Sequence, residues 1–152
     1  MQTEQLYQFI HSRKLAVLST IAPNGAPQSA LVGIGVAPNL SIVFDTVKSS
    51  RKYTNLKADP RCSMVIGWEG EVTVQYEGIA TEPEGEALTE AKGIYFPAWP
   101  SCVEHQNWPG ITWFLINPVW IRYSDFDTGH IEETSFPTPS SPQLTSDVSN
   151  IS

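Results

Sequence analysis

With 152 residues, 41% of them hydrophobic, the chain can bury the core of one domain. Sixteen Asp and Glu against nine Lys and Arg give a net charge of −7, which excludes the basic face that nucleic-acid phosphates or anionic lipid surfaces require. No apolar run approaches the roughly 18 residues that span a bilayer, and the polar start Met-Gln-Thr-Glu-Gln lacks the basic flank and apolar segment of a signal peptide, so a cytoplasmic protein is expected.

Residues 3–13 read as an amphipathic helix capped by Thr3, with Leu6, Phe9 and Ile10 on one face. Leu15 to Thr20 is a buried strand, Asn24-Gly25 a hairpin signal, and Gln28 to Val36 the return strand. A turn at Pro38-Asn39 leads into a strand from Leu40 to Thr46. Ser49 to Lys57 reads as a helix stopped by Asp59-Pro60, because the residue before proline avoids helical geometry. Strands follow at 62–68 and 71–81, the second alternating Val72, Val74, Tyr76 against Thr73, Gln75, Glu77. Glu82 to Tyr95 is predicted helical, with Ala87, Leu88, Ala91 and Tyr95 on one side. Residues 96–110, rich in Pro and Trp, form a long loop or broken helix, and a last strand runs from Ile111 to Tyr123. The fold class is mainly β, with six mostly sequential antiparallel strands and peripheral helices. A closed or nearly closed barrel removes the exposed edges of such a sheet. Residues 1–134 make this domain, and the Ser/Pro-rich residues 135–152 read as a disordered tail.

The most informative stretch is Ser49-Ser50-Arg51-Lys52. Five of the nine basic residues (Lys48, Arg51, Lys52, Lys57, Arg61) fall between positions 48 and 61 of an otherwise acidic chain. Ser49 or Ser50 can cap a helix whose free N–H groups face an anion, while Arg51 and Lys52 supply charge. The plain alternative is an ordinary capped helix with solvated cations. Other chemistry is sparse. His11 and His130 read as solvated, and His105 lies in the Trp/Pro loop beside Glu104. No Ser/His/Asp, Cys/His or paired-carboxylate arrangement is apparent from spacing. Cys62 and Cys102 make neither a disulfide framework nor a Cys-x-x-Cys pair, so no structural zinc site is expected.

The order of these pieces resembles the FMN-binding split barrels, the family of pyridoxamine 5′-phosphate oxidase and its relatives. The resemblance covers roughly residues 5–125. It rests on Leu-Ala-Val-Leu-Ser-Thr, the Asn-Gly turn, Pro-Gln-Ser-Ala-Leu-Val, Val-Phe-Asp-Thr, Ser-Arg-Lys, Asn-Leu, Asp-Pro-Arg and Val-Gln-Tyr-Glu-Gly-Ile-Ala in sequence. It implies a six-stranded antiparallel split barrel that binds FMN at the interface of a homodimer. The strand Ala30-Leu31-Val32-Gly33 would lie along the flavin, Thr46 and Ser50 would sit beside the cofactor, and Arg51 and Lys52 would grip its phosphate. Thr73 would reach the cofactor from the second subunit. Val32, Trp99 and Trp113 are candidates for the wall against the ring.

Two departures bear on activity. Pyridoxamine-phosphate oxidases usually carry Arg at the place of Ala30. They also end in a segment rich in Arg, Trp and His, where this chain runs Ile121-Arg122-Tyr123-Ser124-Asp125-Phe126. The resemblance is therefore to the shorter, general-stress-type members, and it implies an oxidoreductase acting on an unidentified small molecule. With a flavin, the cofactor carries the hydride chemistry, so a missing catalytic side chain does not argue against an enzyme. Two other readings stay open: a split barrel holding the deazaflavin F420 or haem, and a flavin-binding stress protein without turnover.

Overall fold

The computed structural model of the protein describes residues 2–137. In chain order the elements are α1 (Thr3–Arg13), β1 (Leu15–Ile21), β2 (Pro27–Gly33), β3 (Gly35–Val36), β4 (Ile42–Val47), α2 (Arg51–Ala58), β5 (Arg61–Ile66), β6 (Val72–Thr81), α3 (Glu86–Tyr95), a 3₁₀ helix (Pro100–Asn107), β7 (Ile111–Asp125) and β8 (His130–Ser135). All strands join one antiparallel sheet in the order β2-β1-β5-β6-β7-β4-β3, with β8 paired to β7 off that path. The two ends of the path, β2 and β3, are separated only by Ile34. One bent segment therefore curls the sheet back on itself, which is the expected split-barrel architecture.

The sheet has eight strands where six were expected. One extra strand arises because the return strand breaks at Ile34, whose N–H turns to the Lys14 carbonyl at 2.8 Å. The other is β8. Asp125 Oδ1 accepts the Asp127 N–H at 3.0 Å and Gly129 adopts φ +78°, so the chain reverses and pairs back along β7. Ser135 ends that strand, and Phe136 packs on the core while its N–H meets the Val119 carbonyl at 2.9 Å. The rest of the expected tail, 138–152, lies outside the described residues. Boundaries also shift: β4 opens at Ile42 rather than Leu40, β5 ends at Ile66 rather than position 68, and β7 runs on to Asp125. Gln2 rather than Thr3 caps α1, and α3 starts at Glu86.

Alternation along the strands fills the barrel. Leu18, Ile42, Phe44, Met64, Ile66, Val74, Tyr76, Phe114 and Ile116 meet inside, and Leu6 and Ile10 of α1 close one end. Tyr76 satisfies its buried hydroxyl by donating to the carbonyls of Leu40 at 2.7 Å and Ile116 at 3.2 Å. This ties down Leu40, a non-glycine residue at φ +72° that turns the chain into β4. The opposite side chains of β4 and β7, Val43 and Trp113, are covered by Ala91 and Tyr95 of α3. That packing requires Gly35, because a Cβ there would lie 2.5 Å from the Ile94 carbonyl oxygen.

Candidate functional site

The start of α2 is built by short-range chemistry. Ser50 has extended backbone, and its Oγ accepts the Tyr53 N–H at 3.2 Å, closing the N-cap. The same hydroxyl bonds Thr46 Oγ1 at 2.9 Å, which fixes the helix start against the end of β4. The first turn holds no acidic residue. Its N–H groups and its cations therefore point the same sign of potential outward.

The five clustered cations divide into two groups. Lys57 is 3.0 Å from Glu82, and Arg61 is 2.7 Å from Asp59. The Arg61 guanidinium holds the Asp59 carboxyl down at about 2. The side chains of Lys48, Arg51 and Lys52 have no hydrogen bond or ion pair among the described residues. Arg51 and Lys52 line a crevice of about 80 Å³ with Leu18 and Thr20 of β1 and Gln28, Ser29 and Ala30 of β2. β2 pairs only with β1 among the described strands, so the backbone groups of its second edge are open to a ligand.

Sequence reading missed the residues that hold this crevice in shape. Asn55, 3% exposed, donates through Nδ2 to Thr20 Oγ1 and Gln28 Oε1, both at 2.9 Å. It pins α2 to β1 and β2 at once. Asn55 enters the sequence reading only within the Asn-Leu pair of the family order, and an Asn inside a short helix, where its propensity is poor, is the one physical signal of its role. Glu82 is the second missed hub. Its carboxylate accepts from Thr112 Oγ1, from Lys57 at 3.0 Å and from the Tyr53 hydroxyl at 3.3 Å. Burial pushes its pKa up, but the three donors outweigh that and hold it below the usual carboxylate range.

The residues singled out from sequence do not all converge. Ala30, Arg51 and Lys52 share the crevice, and Thr46 and Ser50 are bonded behind it. Leu31 stands 62% exposed on the outer face. Val32 points the other way, into the barrel core, and is 6% exposed. Gly33 lies under the Trp99 indole, which a Cβ would approach to 2.8 Å, and Trp99 Nε1 donates to the Ile34 carbonyl at 3.0 Å. Trp113 is 4% exposed beneath α3, leaving no ring face free for a ligand. Thr73 sits near the start of β6 with Oγ1 3.5 Å from the Ile66 carbonyl, away from the crevice. The structure thus does not bring Val32, Gly33, Trp99, Trp113 or Thr73 to the crevice within one protomer. For Gly33, Trp99 and Trp113 the reason is packing, since α3 and the segment after it cover that sheet face; Val32 faces the barrel interior, and Thr73 lies near the start of β6 beside Ile66.

Residues 2–125 match the family described as pyridoxamine 5′-phosphate oxidase. A pyridoxine/pyridoxamine 5′-phosphate oxidase of Nocardioides sp. is 36% identical over 100 residues, which cover 64% of this chain and 45% of that protein. The chain spans about half the length of the curated relatives it matches. Among solved structures, a heme binding protein from Mycobacterium smegmatis superimposes with a TM-score of 0.77 at 19% identity, covering 89% of this chain and 58% of that one. The General Stress Protein 26 from Bacillus anthracis gives a TM-score of 0.69 at 22% identity, covering 88% of this chain and 98% of that one. Those two likenesses establish the fold. The family match spans nearly the whole described chain, and the fold agrees with it: the chain belongs to the pyridoxamine 5′-phosphate oxidase family.

Proposed function

We propose that this protein binds FMN, with the phosphate at the start of α2, and acts as a flavin-dependent oxidoreductase on a small molecule. The observation that carries the reading is the division of the cations. Two of the five are neutralised within the fold, while Lys48, Arg51 and Lys52 are left for an external anion. A phosphate monoester with close to two negative charges suits that set and the adjoining N–H groups. The crevice has room for a phosphate but not for a three-ring system, so the flavin would lie outside it, along the open edge of β2.

That placement calls for a second wall, and the reading supplies one as a homodimer. On the outer face of the sheet, Leu31, Val17 and Val65 stand in one row across β2, β1 and β5. Leu31 is 62% and Val65 42% exposed. A contiguous apolar row beside a half-built site suits a subunit contact. When bound, FMN would supply hydride or single-electron transfer, and the chain would hold, orient and shield it.

Haem is less well served. His105 faces Asp45 and stacks on Trp108, His130 meets Glu132 at 3.0 Å, and His11 stacks on Tyr7. No histidine among these stands free over a cavity. The absorbance of protein reconstituted with FMN, followed by NAD(P)H oxidation against free FMN, tests the proposal. A bound flavin spectrum and a rate above that of free cofactor support it. A Soret band from purified protein, or no flavin retention, contradicts it. Flavin retention at the free-cofactor rate leaves the binding site standing and removes the enzyme.

A further inference from the structure

The 3₁₀ helix Pro100–Asn107 carries Cys102 and His105 three positions apart. At three residues per turn such positions eclipse, so both side chains leave the same face. That face meets β4 at Asp45. His105 Nδ1 is 3.7 Å from Asp45 Oδ2, and the Tyr95 hydroxyl donates to Cys102 Sγ at 3.8 Å. One donor atom each from Asp45, Cys102 and His105 lies within 4.8 Å of the other two. Asp45 Oδ2 is buried with no hydrogen-bond partner among the described residues. A carboxylate oxygen in that position is costly unless a hydrogen-bond donor or a cation meets it.

We propose that Asp45, Cys102 and His105 bind a zinc-class divalent metal ion, with a fourth coordination position open. A thiolate, an imidazole and a carboxylate are the donor types zinc takes, and three protein ligands leave one place for water or substrate. Metal–ligand bonds of about 2.0–2.3 Å put tetrahedral donors about 3.3–3.7 Å apart, so the trio must close by about 1 Å, within the reach of side-chain rotation. The ring of His105 is already steadied by Trp108, stacked at a centroid distance of 3.9 Å. The ion has a way in, because the side chains of His105 and Asp45 are 28% and 18% exposed. Three donors converging on one point suit an ion rather than a proton relay in series. Asp45 alternates with Thr46 on β4 and pairs with Trp113, so the site lies on the face opposite the α2 crevice and is independent of the FMN reading. The other cysteine does not compete. Cys62 is 8% exposed in the barrel core, and burial pushes its thiol up to about 12.

The test is cobalt titration of the full chain after chelation. A saturable, one-to-one thiolate-to-cobalt charge-transfer band in the near ultraviolet is expected, displaced by zinc. Cys102→Ser should abolish the band and Cys62→Ser should keep it. His105→Gln and Asp45→Asn should each weaken cobalt binding at least ~10-fold, since loss of an outer-shell partner alone costs that much. Circular dichroism confirms that each variant is folded. No band in the native protein, a band that survives Cys102→Ser, or affinity unchanged in either of the other two variants overturns the assignment.

Discussion

Replacing Arg51 and Lys52 together by Ala isolates the phosphate grip from the fold. Neither side chain makes a hydrogen bond or ion pair among the described residues, and neither is the N-cap, which is Ser50. The melting temperature should therefore hardly move. Binding should suffer. A hydrogen bond to a charged group contributes about 1.5–3 kcal/mol, and the lower end applies because Arg51 is exposed and Lys52 half-buried. Two such contacts give about 3 kcal/mol, which at ~1.4 kcal/mol per decade is a roughly 100-fold weaker Kd for FMN. Quenching of flavin fluorescence on titration reads this directly. Lys57→Ala serves as the control, because that ammonium is occupied by Glu82 at 3.0 Å and should leave FMN affinity nearly unchanged. A double variant that melts normally and binds FMN within about threefold of the native protein would refute the reasoning.

Glu82→Gln should destabilise the protein by about 1–2 kcal/mol at pH 7, as three donors lose a carboxylate. The folded pKa lies below the ordinary 4.5, so the charge contribution is present above that value and lost as pH falls through the folded pKa. Urea unfolding at pH 7 and in mild acid should show the two proteins converging on acidification; a constant gap would contradict it. Gly35→Ala sets a Cβ 2.5 Å from the Ile94 carbonyl and 2.9 Å from Tyr95 Cα, backbone atoms that cannot swing away. A loss of about 1–3 kcal/mol is expected by thermal melting, and an unchanged melt would mean α3 does not sit so close. Leu31→Asp puts a charge into the row Leu31-Val17-Val65, so light scattering should shift from dimer to monomer mass. A native protein already monomeric at micromolar concentration would remove the subunit contact from the account.

The elements with strong local signatures were legible in the sequence. Asn24-Gly25 turns β1 into β2, Asp59-Pro60 stops α2, and Ser50 caps it, all through chemistry within a few residues. What escaped depends on contacts remote in sequence. The neutralising partner of Lys57 is Glu82, 25 positions on, so Lys57 looks like Arg51 and Lys52 until the fold pairs it. Trp113 looks like an available wall until α3 covers it. Residues 96–110 read as a long loop or broken helix, and spacing alone does not relate Cys102 to His105; the 3₁₀ geometry gives them a common face. β8 is concealed by polar residues on an outer strand, half of whose pairing surface faces water.

Comparing FMN with riboflavin on the same protein bears most directly on the central claim, because the two ligands differ by the phosphate alone. If the unpaired cations at the start of α2 hold that group, FMN should bind roughly 100-fold more tightly than riboflavin, and the preference should vanish when Arg51 and Lys52 are both Ala. Equal affinities in the native protein would contradict the account.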